Sequence, residues 1–90
     1  MIFTMEEARE ILRIDGSDND GIIAALLSAI PPYLEATTGY KAAGDYSPLA
    51  QTAGRFLLWL WYYGENADTD KTQRVIDSLL KALSAERARE

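Results

Sequence analysis

The densest grouping of oxygen ligands in the chain is Asp15-Gly16-Ser17-Asp18-Asn19-Asp20. Such a turn suggests calcium chemistry. An EF-hand loop requires glycine at its sixth position and a bidentate glutamate at its twelfth. Placing Gly21 sixth makes Gly16 the first ligand and Leu27 the last, while starting from Asp15 puts Asp20 in the glycine slot and Leu26 where the carboxylate belongs. Neither register works. The turn therefore reads as helix capping by short polar side chains, and no metal ion is expected.

Little other chemistry is available. The chain contains no cysteine and no histidine. Disulfides and thiolate metal sites are excluded, and so is any Ser-His-Asp or Cys-His catalyst built from one copy. Carboxylate or lysine chemistry stays formally open, but no arrangement of residues supports it. No catalytic residue and no cofactor are expected, and the function classes that remain are binding and assembly.

The bulk properties fit a small binding or assembly part. Ninety residues allow one domain, 1–90, which buries only about 60% of its unfolded surface. A hydrophobic content of 48% is ample for a core and argues against disorder. Net charge is −5 and the isoelectric point is near 4.6, so the chain on average repels a free duplex rather than gripping it. The opening residues MIFTMEEARE lack the basic-then-apolar order of a secretory signal. The longest apolar run, Phe56 to Tyr63, is about half of what a membrane span needs, so a soluble protein is expected.

Local signals divide the chain into four helices and no strand. Thr4-x-x-Glu7 fits a capping box, with Met5, Ala8, Ile11 and Leu12 on one face and Phe3 placed as a hydrophobic staple. This short helix should end near Arg13. Asp15-Gly16-Ser17 turns the chain, Asp18 or Asn19 caps the second helix, and Asp20 suits its positive end. The second helix carries Ile22, Ile23, Leu26, Leu27, Ile30, Tyr33 and Leu34 on a broad stripe. Pro31-Pro32 removes two donors within it, yet the stripe stays in phase from Ile30 to Tyr33, which predicts one kinked helix rather than two. Thr38-Gly39 stops it with a left-handed glycine.

Residues 40–46 read as a loop, and Ser47-Pro48 restarts helix with a serine cap and a proline in the first turn. On a helical wheel Leu49, Ala53, Phe56, Leu57 and Leu60 form the expected core face. Leu58 and Tyr62 fall opposite, with Trp59 and Trp61 on the flanks. Gly64 closes this helix and residues 65–70 connect onward. Asp70-x-x-Gln73 reads as a second capping box, opening a last helix with Val75, Ile76, Leu79, Leu80 and Leu83 on one stripe. Ser84 to Glu90 reads as a frayed, solvated end. The expected architecture is an all-α bundle of four helices, the first short and the second and third long.

The run Leu12-Arg13-Ile14-Asp15, the acidic turn, Tyr33-Leu34-Glu35 and Thr38-Gly39 stand in an order that resembles the head-tail connector (head-completion, or adaptor) proteins of tailed bacteriophages. The likeness continues more loosely through the aromatic helix at Trp59 to Tyr63 and the terminal leucines Leu79, Leu80 and Leu83. Two features depart from that family's pattern. Ser17, Asn19 and Gly21 interrupt the acidic turn, and Pro31-Pro32 replaces ordinary helix formers. The resemblance implies a virion structural protein that forms an oligomeric ring beneath the portal. Such a ring joins capsid to tail, extends the DNA channel, and contacts itself, the portal protein and a neck or tail-completion protein. DNA would pass without specific binding and without a membrane step. The protein would reside in the virion neck, and in the host cytoplasm before assembly.

An apolar surface that wraps a helix in so small a domain exceeds what one core covers. Leu58, Trp59, Trp61 and Tyr62 are accordingly the expected contacts with another protein chain. The alternative from another class is a small helical DNA-binding regulator or antitoxin-like partner. Its recognition helix would have to be the terminal one, where Lys71, Gln73, Arg74 and Lys81 sit among Asp77 and Glu86.

Overall fold

The computed structural model describes residues 2–42, 44–64 and 69–88. Four helices follow one another: α1 (Met5–Leu12), α2 (Asp20–Thr38), α3 (Pro48–Tyr63) and α4 (Thr69–Ala88). No strand occurs among the described residues. The all-α bundle read from the sequence is the fold, although the terminal helix is the longest of the four and α3 the shorter of the middle pair.

The start of α1 is the capping box that the sequence announces. The Glu7 amide donates to the Thr4 hydroxyl at 3.1 Å, and the Thr4 amide donates to the Glu7 carboxylate at 2.9 Å. At the other end Arg13 takes a left-handed conformation, φ 57°. The Ile14 amide reaches the Arg9 carbonyl and the Arg13 amide reaches the Glu10 carbonyl. This pair of bonds is a Schellman closure with arginine in the place that glycine usually takes.

The second helix differs from expectation at its start. Asn19 is the N-cap but forms no capping bond; its side-chain amide donates to the Tyr62 hydroxyl at 2.8 Å. Asp20 opens the helix and accepts from the Arg9 guanidinium, with Nε at 3.0 Å from Oδ1 and Nη2 on Oδ2. The polar side chains of the turn thus tie α2 to its neighbours rather than to its own amides. Through Pro31 and Pro32 the helix runs unbroken to Thr38. Gly39 ends it at φ 78°, as its position predicts. Buried Thr38 donates to the Leu34 carbonyl and accepts from the Tyr40 amide. Tyr40, itself buried, accepts from the Ser47 amide and so holds the ends of the following loop together.

Ser47 caps α3 by accepting from the Ala50 amide at 3.2 Å. The last helix begins at Thr69, so Asp70 lies inside its first turn, and Gln73 donates to Asp77 rather than completing a capping box. Residues 65–68 of the expected connection lie outside the described residues. The helix also continues through Ala88, which replaces the frayed end expected from Ser84; Arg89 and Glu90 lie outside the described residues.

The core is built from Phe3, Ala8 and Leu12, from Ile23, Leu27, Ile30 and Leu34 of α2, from the inner face of α3, and from Ile76 and Leu83 of α4. The domain's principal extents are 41 × 30 × 18 Å. With helices about 10–12 Å across, 18 Å admits no more than two layers. The few buried polar side chains are satisfied: no buried side-chain nitrogen or oxygen lacks a hydrogen-bond partner among the described residues.

Candidate interaction surface

The inner face of α3 consists of Ala50, Ala53, Gly54, Leu57 and Leu58, all buried. This five-residue pattern, at i, i+3, i+4, i+7 and i+8, is what a core-facing helix requires. It is rotated by close to one residue step, about 100° on a 3.6-residue helix, from the face read off the sequence. The three small residues cause the rotation, because they admit closer neighbours than the bulky face does. A Cβ added to Gly54 would stand 2.7 Å from Cδ1 of Ile2 and 3.2 Å from Cε2 of Phe3. The segment before α1 packs directly into that notch.

Leu58 is corrected by this rotation. It is wholly buried at 0% exposure, so it supports the core and offers nothing to a partner. Phe56, placed with the core in the sequence reading, is instead 37% exposed. The remaining expected contacts are half-buried and serve the fold in different degrees. Trp61 meets Tyr33 of α2 edge-on, with ring centroids 5.3 Å apart. Tyr62 is fixed by Asn19 and lies against Tyr63, which donates to the Leu12 carbonyl at 2.6 Å. These rings hold the end of α3 on the α1–α2 turn. Trp59 packs on Tyr63 at 5.5 Å and also lines an open groove.

That groove is the most apolar of the domain's open clefts among the described residues. It has a volume of about 410 Å³ and is lined by Ile11, Arg55, Phe56, Trp59 and Thr72, drawn from α1, α3 and α4. Its lining is almost wholly apolar, with Arg55 as the charged member. It continues past Ile11 and Arg55 into a more polar stretch with Glu7, Glu10 and Arg13. Glu7 is engaged there: the Thr4 amide bond holds its carboxyl below the usual range, with a minor contribution from Arg55. Sequence reasoning missed Phe56 and Ile11 because it assigned both to the core. The available signal was the stripe of Ala50, Ala53 and Gly54, which marks the tight face and leaves Phe56 opposite.

Two further exposed apolar side chains stand elsewhere, Ile22 at 59% and Val75 at 39%. From Gly21 to Leu34, α2 carries no Asp, Glu, Lys or Arg, while Asp15, Asp18 and Asp20 precede Ile22 in the turn and at the helix start.

The arrangement offers no catalytic constellation. No cluster of three or more metal-ligating side chains occurs among the described residues. No helix among them is long and apolar enough to cross a membrane. The ion pair of Arg9 with Asp20 joins α1 to α2; the guanidinium holds the Asp20 carboxyl below the usual aspartate range. Neither a protein-family model, nor a curated protein, nor a solved structure matches this chain.

Proposed function

We propose that this chain is a structural subunit of a bacteriophage neck, a head-tail connector that assembles with copies of itself into a ring between portal and tail. The observation that carries the reading is uncovered apolar surface. Phe56 and Trp59 line an open groove, and Ile22 is exposed near the start of α2. Soluble domains seldom leave such surface unpartnered. The resemblance of residues 11–39 to connector proteins supplies the class of assembly, and the four-helix fold is compatible with it. In this reading the protein is not an enzyme. It contributes many modest, identical interfaces closed by rotation, and it also contacts the portal protein and a neck or tail-completion protein.

Acidity suits the same role. A ring of subunits each carrying −5 repels the DNA that passes through it and also opposes its own closure in solution. Isolated subunits are thus expected to be monomeric or to form mixed, concentration-dependent assemblies, with salt promoting growth by screening the repulsion. Light scattering of the purified chain across a salt and concentration series tests this. A tight dimer, independent of salt at all concentrations, speaks against the connector. Duplex binding in a low-salt gel shift favours a DNA-binding regulator instead.

A further inference from the structure

We propose that the groove formed by Ile11, Phe56, Trp59 and Thr72 receives Ile22 from a second copy of this chain, with Arg55 at the groove taking Asp18 of that copy. The inference rests on the self-assembly reading above and specifies the surfaces it uses.

The first argument is apolar complementarity within one sequence. Ile22 is the most exposed of the large hydrophobic side chains, at 59%. The groove, at about 410 Å³, is ample for a branched aliphatic side chain and part of the helix that carries it. Burying the exposed part of such a side chain is a modest gain per contact, which suits a ring whose stability comes from repetition.

Charge supplies the second argument. Arg55 is exposed and is the charged residue of the apolar lining. It forms no ion pair among the described residues, and its acidic neighbour Glu7 is already engaged by the Thr4 amide. Arg13 adds a second exposed cation on the polar continuation, beside Glu10. At the other surface, Asp18 lies four positions before Ile22 and is exposed, as is Asp15. Neither joins an ion pair among the described residues, whereas Asp20 is taken by Arg9. An apolar knob beside unpaired carboxylates therefore matches an apolar groove beside unpaired guanidinium groups. Because knob and groove are different patches, their union is head-to-tail, the kind of contact that builds rings.

The chain has no cysteine, so disulfide trapping has no background. Ile22→Cys and Thr72→Cys are made in separate full-length chains, checked for unchanged helical circular dichroism, mixed at high concentration and oxidised. The mixed disulfide should exceed either homodisulfide. Adding Arg55→Glu to the Thr72→Cys chain should cut its yield roughly tenfold, and adding Asp18→Arg to the other chain should restore it, as expected of a partly buried charge pair. If wild-type subunits assemble by light scattering but no mixed disulfide forms, or the Ile22→Cys homodisulfide dominates, this interface is wrong while self-assembly stands. If the subunits stay monomeric even at high salt and high concentration and nothing cross-links, both readings fall.

Discussion

The two faces of α3 divide the work of this domain. One face is small and aliphatic: Ala50, Ala53 and Gly54 let the N-terminal segment approach, and Leu57 and Leu58 fill the centre. The other is aromatic and open, with Phe56 and Trp59 lining a groove that no described residue covers. Bulk does not decide which face goes inside. Close packing does, because interiors are as dense as organic crystals and a helix buries the side on which neighbours can come nearest. Large rings left outside are the surface that the proposed self-assembly would cover.

That division can be broken most sharply by exchanging a residue from each face for alanine. Leu58→Ala removes a wholly buried side chain and should destabilise by about 2–5 kcal/mol. That is a large share of the 5–15 kcal/mol typical of a domain. Phe56→Ala deletes a larger side chain yet should cost less than about 1 kcal/mol, as surface changes do, while weakening self-assembly. Urea unfolding of the two variants decides the matter. Equal losses would show that Phe56 belongs to the core after all. By the same reasoning Leu58→Glu, which places a charge in the core, should unfold the domain.

A smaller effect tests the notch itself. Glycine to alanine within a helix ordinarily stabilises by about 0.5–1 kcal/mol. At Gly54 the new methyl would meet Ile2 and Phe3, and overpacking of this kind costs about 1–3 kcal/mol. Gly54→Ala should therefore destabilise the natural chain by about 1 kcal/mol. In an Ile2→Ala background the nearest obstacle is gone, and the same change should become neutral or stabilising. An identical effect in both backgrounds would mean that the segment before α1 does not rest on α3.

Much of the fold was legible in the sequence because caps and stops are local. Thr4 with Glu7, Ser47 with Pro48, and Gly39 each specify a helix end through bonds made within a few residues. The polar turn was legible only in part. Asn19 and Asp20 have the chemistry of capping residues, but their side chains go to Tyr62, 43 positions away, and to Arg9, 11 positions away. Tertiary partners outcompeted local amides. Trp59 lies on the open groove while Leu58 is buried, because a wheel shows what is apolar around a helix, not which side its neighbours occupy. Gly54 carried that information, through the absence of a side chain rather than the presence of one.

The smallest effect concerns acid and separates the fixings of α3 from those of the α1–α2 turn. Asp20 holds its proton less readily than an ordinary aspartate because the Arg9 guanidinium donates to it, and Glu7 does likewise through the Thr4 bonds. A carboxyl whose folded pKa lies below its unfolded value adds stability that is fully present above the unfolded value. That stability is lost as pH falls through the folded value. Both groups lie on or beside α1, whereas the inner face of α3 carries no titratable side chain. Lowering the pH from neutral to below the carboxylate range should therefore loosen α1 and the start of α2 before α3. Amide hydrogen exchange followed across that range should show Ala8 and Leu12 losing protection ahead of Leu57. In Asp20→Asn, which cannot ionise, the acid dependence at the turn should flatten, and the loss of the Arg9 pair should appear at neutral pH instead. A variant with an acid response unchanged from the natural chain would show that the pair contributes nothing to holding the two helices together, and that the aromatic anchors Tyr62 and Tyr63 suffice.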